Sequence, residues 1–177
     1  MVEMKLNRIL IVGISGTGKT RLAKQLSIIL NLPVIYLDTI FWKENWQEEN
    51  PKVVEAKIKE VIGRHQWIIE GYVEPLGKLR VERADLVLCL DYPGRVALLG
   101  GLQRWLQYRH KARPEMPIGN TESLGFKFLM TLLRRRERPE IEAAILGNED
   151  KVVRLKSRRQ TERYLTQLNS KDITVAN

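Results

Sequence analysis

Residues 8–20 read Arg-Ile-Leu-Ile-Val-Gly-Ile-Ser-Gly-Thr-Gly-Lys-Thr, and this stretch decides the fold. Arg8–Gly13 is a short apolar run, the pattern of a buried strand. Gly13–Thr20 fits G-x-x-x-x-G-K-[ST] in full. Its glycines let the backbone curl so that successive N–H groups converge on phosphate oxygens. Lys19 can reach β- and γ-phosphates, and the Thr20 hydroxyl can ligate Mg²⁺. Residues 18–30 follow with Leu22, Leu26, Ile29 and Leu30 on one helical face, which puts a helix N-terminus at the anion. Strand, glycine-rich turn and helix together imply a site for a nucleoside triphosphate.

Outward from this unit, apolar strands alternate with amphipathic helices. Strands are expected at Pro33–Leu37, Trp67–Glu70, Asp85–Asp91 and Lys151–Leu155. Helices are expected from Pro51, over about 94–108 and about 122–137 (carrying Leu124, Phe128, Leu132 and Leu133), and after Ser157, whose spacing to Gln160 fits a capping box. Continuous apolar strands separated by helices imply a parallel sheet covered on both faces.

The chain has 177 residues, enough for one domain with an insert. Thirty Lys and Arg against 21 Asp and Glu give a net charge of +9. Residues 94–138 hold 10 basic and 3 acidic residues, and eight of the ten are arginine: Arg95, Arg104, Arg109, Arg113, Arg134, Arg135, Arg136 and Arg138. Arginine forks suit phosphate, so this segment reads as an insert that binds polyphosphate. One cysteine excludes an internal disulfide framework and suggests a reducing compartment. No apolar run approaches a membrane span. The expected location is cytoplasmic.

Three acids follow strand ends, where parallel sheets bind ligands: Asp38, Glu70 and Asp91. Asp38 and Glu70 are the favoured pair, Asp91 reading rather as the end of its strand. Phe41, Trp42 and Trp46 either stack a planar acceptor or cover the core. Gly100-Gly101 interrupts a well-patterned helix, either as a hinge or for close packing. Arg158 and Arg159 start the last helix, where the helix dipole disfavours cations unless an anion lies near.

These residues carry a resemblance. Gly13–Thr20, Leu37-Asp38-Thr39 with Trp46, Trp67-Ile68-Ile69-Glu70-Gly71-Tyr72, Ala84-Asp85-Leu86-Val87 with Leu90-Asp91-Tyr92-Pro93, Tyr108-Arg109 with Arg113-Pro114-Glu115-Met116, and Lys151–Leu155 are similar to the adenylate-kinase-like P-loop kinases. Among these the chain most resembles the bacterial DNA topology modulation proteins, over roughly residues 6–168. It departs from them in carrying Glu70 where Asp is usual, and Gly71-Tyr72 where Gly-Asn-Tyr is usual. The resemblance implies an α/β P-loop NTPase fold of three α/β/α layers, with a five-stranded parallel sheet in the order 2-3-1-4-5 and a helical, arginine-rich lid.

The expected organisation is a single domain over 1–177. Its core is 1–93 and 139–177, with an acceptor-binding arm at about 39–66 and a lid at about 94–138. The expected activity is transfer of the ATP γ-phosphoryl group, with Mg²⁺, to a nucleotide or another small molecule, by a monomer or weak dimer. Gly13, Ser15, Gly16, Thr17, Gly18, Lys19 and Thr20, with Arg109 and Arg158, would hold the nucleotide. Thr20 and Glu70 would serve the metal. Lys19, Asp38, Glu70, Arg104, Arg109 and Arg113 would act on the reacting groups, helped by Arg134 or Arg138. The rivals are a nucleotide-dependent DNA binder, whose affinity would fall steeply with salt, and a degenerate kinase that binds ATP without transfer.

Overall fold

A computed structural model describes residues 6–123 and 125–173 of the chain. Five parallel strands form one sheet in the order β2-β3-β1-β4-β5. They are β1 (Arg8–Gly13), β2 (Val34–Tyr36), β3 (Trp67–Glu70), β4 (Leu86–Leu90) and β5 (Val152–Leu155). Alternation along β1 splits its side chains between two cores. Leu10 and Val12 join one apolar cluster, Ile9 and Ile11 the other, and all four are at most 1% exposed. A strand buried on both faces must read as an unbroken apolar run.

Helices α1 (Lys19–Leu30) and α8 (Arg158–Ile173) cover one face. Helices α3 (Pro51–Ile62), α4 (Gly77–Arg83) and α7 (Arg138–Ile145) cover the other. On that second face lie also Ala97 of α5 (Gly94–Tyr108) and Leu132 of α6 (Phe126–Arg134). A one-turn helix, α2 (Asp38–Phe41), begins immediately beyond β2.

The three-layer architecture and the strand order are those expected. The structure adds α2, α4 and α7 to the expected helices. Of the helix expected over about 122–137, α6 forms Phe126–Arg134; it ends in a turn in which Arg135 adopts a left-handed conformation (φ 54°), and α7 begins beyond it at Arg138. Pro139 fits the first turn of α7, where its missing N–H costs nothing. Leu124 lies outside the described residues.

Helix α5 runs unbroken through Gly100 and Gly101. A Cβ on Gly100 would stand 2.0 Å from the Gly16 carbonyl oxygen, and one on Gly16 would stand 2.3 Å from the Ala97 carbonyl oxygen. The glycine pair therefore lets α5 lie directly against the phosphate-binding turn, as the packing alternative expects.

At the amino edge of the sheet, Asp85 accepts from the Asn7 and Arg8 backbone N–H groups (3.1 and 2.8 Å) and pairs with the Arg8 guanidinium at 2.6 Å. This ties the start of β1 to the start of β4. Among the described residues no helix is long and apolar enough to cross a membrane.

Candidate active site

The turn between β1 and α1 places Gly16 and Gly18 at φ 80° and 95°, a region that residues with side chains rarely adopt. The Lys19 Nζ donates to the carbonyl oxygens of Gly13 (2.8 Å) and Ile14 (3.3 Å), folded back over its own loop. The Thr20 hydroxyl donates to Glu70 Oε1 at 3.1 Å. Glu70 ends β3 and is only 5% exposed. Burial raises its pKa, while the Lys19 ammonium opposes the rise.

These groups line a cleft of about 370 Å³ at the carboxyl edge of the sheet, within the range of small-molecule sites. Ser15, Gly16, Thr17, Gly18, Lys19 and Thr20 form its floor. Arg158, Thr161 and Leu165 of α8 line one end, with Tyr92, whose hydroxyl lies 2.6 Å from Thr161 Oγ1. Asp38, Glu70, Tyr72, Arg104 and Arg113 line the other.

That second end is a chain of ion pairs. Arg113 reaches Asp38 at 3.2 Å and Glu122 at 2.7 Å, and Arg104 reaches Glu122 at 3.1 Å. Glu122 and Arg113 have side chains 5% and 9% exposed. Burial lowers the Arg104 pKa, with Glu122 opposing. A second acid of the insert, Glu115, pairs with Lys24 on α1. The segment after α5 is thus fastened to the core on two sides.

A clasp joins this segment to the arm. Asn120, fully buried, accepts from the Trp46 backbone N–H at 2.6 Å and donates to the Lys43 carbonyl at 2.9 Å. The Trp46 indole donates to the Thr121 carbonyl at 2.9 Å. Asn45 and Trp46 both take positive φ to make this approach.

The structure brings Lys19, Thr20, Asp38, Glu70, Arg104, Arg113 and Arg158 to one cleft with the residues of the phosphate-binding turn. Other residues singled out in the sequence lie outside the cleft. Arg109 lies over the Trp105 ring, 5.5 Å from its centroid, and does not line the cleft. Trp42 and Trp46 pack edge-to-face at 5.3 Å and also stay outside it. Arg138 pairs with Asp91 (3.7 Å) and Glu142 (3.4 Å) outside the cleft, and Arg134 does not line it either. Asp91 is engaged by Arg135 as well.

Sequence reasoning missed Glu115, Glu122 and Glu137. They are the three acids in an otherwise basic insert, and that scarcity was the available signal. It also missed Arg80, which is fully buried and donates to the backbone carbonyls of Tyr72 (3.0 Å), Val73 and Pro75 (3.0 Å). Burial brings its pKa down to about 10. Arg80 thereby shapes the loop that follows Glu70.

The donor set suits a hard cation carrying waters: a hydroxyl and a buried carboxylate side by side at the phosphate-binding turn. Among the described residues no group of three or more His, Cys, Asp or Glu could hold a metal without other ligands. A bound phosphate and water would have to complete the shell, which is how Mg²⁺ is usually held beside a nucleotide.

By sequence, no family model and no curated protein matches the chain. Solved structures do. A shikimate kinase from Bacteroides thetaiotaomicron is 18% identical with a TM-score of 0.59, covering 93% of this chain and 97% of its own. A shikimate kinase from Acinetobacter baumannii, in complex with shikimate, is 17% identical with a TM-score of 0.56, covering 94% of each chain. A gluconokinase from Sinorhizobium meliloti 1021 is 15% identical with a TM-score of 0.55, covering 97% and 98%. At these identities the likeness establishes the fold alone: the chain shares the α/β architecture of these structures over nearly its whole length.

Proposed function

We propose that the chain is an ATP- and Mg²⁺-dependent phosphotransferase acting on a small hydroxyl-bearing acceptor. One observation carries the reading. The Thr20–Glu70 pair, the Lys19 ammonium and the Asp38–Arg113 pair all face a single cleft floored by the glycine-rich turn.

In this reading the N–H groups of residues 15–20 and Lys19 hold the phosphates, and Arg158 and Thr161 flank the nucleoside end. Thr20 would ligate Mg²⁺ and Glu70 would orient its waters, the metal neutralising phosphate charge. Asp38 accepts the proton of the acceptor hydroxyl as the new O–P bond forms and the bond to the ADP oxygen breaks. Arg104 and Arg113 neutralise charge on the moving phosphoryl group. Positioning and electrostatics supply most of such a rate enhancement.

The neighbours of similar fold include kinases named for shikimate and gluconate, both small hydroxyl compounds. The DNA-binding alternative, the sense of the DNA topology modulation resemblance, loses support from the ion pairs. Arg104, Arg113, Arg135, Arg138 and Arg154 are engaged by acids of the chain itself. The arm at about 39–66 and the lid at about 94–138 are proposed to enclose the acceptor, joined at Trp46 and Asn120.

The test is ADP release from Mg·ATP against a panel of hydroxyl metabolites, nucleosides and nucleoside monophosphates. One hydroxyl compound should raise release well above the ATP-only rate, with Lys19→Ala silent. ATP binding without stimulation by any member of the panel would count against the kinase reading.

A further inference from the structure

The turn between α6 and α7 is the most basic stretch of the chain, yet it offers the phosphate-binding turn an acid. Glu137 Oε2 accepts a hydrogen bond from the Ser15 backbone N–H at 3.0 Å. Ser15 lines the cleft. A carboxylate oxygen on a backbone N–H occupies the position that a phosphate oxygen would take on the same donor.

Which phosphate is at stake follows from the loop. Lys19, the residue that reaches β- and γ-phosphates, rests on the Gly13 and Ile14 carbonyls. Ser15 is the next residue, at the end of the loop away from the α1 N-terminus. Glu137 therefore stands at the end of the loop that serves the terminal phosphate of a triphosphate.

The neighbours hold it there. Arg135 and Arg138, on either side, are turned to Asp91. One turn into α7, Glu140 accepts from the Tyr72 hydroxyl at 2.6 Å, fixing the start of that helix to the loop after β3. Among the described residues no ion pair engages Glu137, which leaves its carboxylate to the Ser15 N–H.

We infer that Glu137 is a specificity-determining residue that disfavours the triphosphate relative to the diphosphate. This inference rests on the nucleotide-binding reading above. A terminal phosphate must displace the carboxylate from the Ser15 N–H and bear its negative charge nearby. A diphosphate leaves the contact intact. A ligand that must first shift a competing conformation binds more weakly by the population of that conformation. The same contact narrows the gap between ATP and ADP affinity and returns after transfer, when the terminal phosphate has left.

The experiment is calorimetric titration of Mg·ATP and Mg·ADP into wild type, Glu137→Gln and Glu137→Ala. A charge-assisted hydrogen bond is large enough to shift the ATP-to-ADP affinity ratio about tenfold. Both variants should tighten ATP while leaving ADP within about twofold, with Ala at least as effective as Gln. Should the alanine variant fail to fold, the isosteric glutamine carries the test. An unchanged ratio, or weaker ATP binding in the variants, would overturn the role of Glu137 while leaving nucleotide binding intact. A wild type that binds neither nucleotide would overturn the underlying reading as well.

Discussion

Two arginine-bearing regions come from the same basic insert and end in opposite situations. Arg104 and Arg113 lie in the cleft, at the acceptor end, bridged by the buried Glu122 and tied to Asp38. Arg135 and Arg138 lie on the turn before and into α7, paired with Asp91 and Glu142 where the pocket is open and shallow. Their sequence chemistry is identical. Their acids differ: one set sits where a ligand can compete for the arginines, while the other fastens a helix to the end of β4. The location of its carboxylate partners decides whether an arginine cluster serves a ligand or the fold.

The strongest way to break this distinction is Arg113→Ala. It would leave Glu122 buried without one of its two cations and free Asp38 of its partner. Removing one member of a buried pair costs about 3 kcal/mol, so the melting temperature should fall by several degrees. Acceptor-stimulated ADP release should fall by about 10²-fold, as for other groups that stabilise transition-state charge. Arg113→Lys should recover much of the stability and little of the rate, because an ammonium cannot span two carboxylates as a fork does. If the rate survives Arg113→Ala in folded protein, the cleft arginines are structural, and the two regions no longer differ.

The fold was legible because its signals are local. Continuous apolar runs such as Ile9–Val12 require burial on both faces, and Gly13–Thr20 has few conformational solutions. Asp38 and Glu70 were legible for the same reason: each follows a strand at the edge where ligands bind. The arginines were legible only in part, Arg104, Arg113 and Arg158 but not the place of Arg109, because an arginine fork is long and its target depends on acids distant in sequence. Arg113 meets Asp38 75 residues away, and Glu137 meets Ser15 122 residues away. Helix α7 (Arg138–Ile145) lies in a stretch, between the expected helix over about 122–137 and the strand at Lys151, for which no element was expected. The role of Gly100 depended on a backbone contact with Gly16 that no periodicity announces.

Arg135→Ala probes the other region. The Arg135–Asp91 pair is partly exposed (23% and 12%), and such pairs contribute at most about 1 kcal/mol. Stability should drop by that much or less, and ADP release should stay at the wild-type rate. A loss of rate comparable to that of Arg113→Ala, measured at a temperature where the variant is fully folded, would place the turn in the catalytic machinery and erase the contrast.

The smallest expected effect is a pH dependence confined to the turn. Glu142 has its pKa lowered, first by its hydrogen bonds from Arg154 (2.9 and 2.6 Å) and then by the charges of Arg154 and Arg138, against a desolvation that raises it. A carboxyl whose pKa is lower folded than unfolded binds fewer protons in the folded state. Its stabilisation is therefore present above the unfolded pKa of about 4.3 and fades as pH falls through the folded value. The carboxylate is 39% exposed, so solvent screening limits the contribution to a few tenths of a kcal/mol, about 0.5 at most. Melting curves of wild type and Glu142→Gln should differ slightly at pH 7 and converge on acidification. Curves that stay parallel down to pH 3 would mean that the turn gains nothing from Glu142 ionisation. Its arginines would then owe their place to Asp91 alone, which would deepen the contrast with the cleft, where the buried Glu122 holds both Arg104 and Arg113.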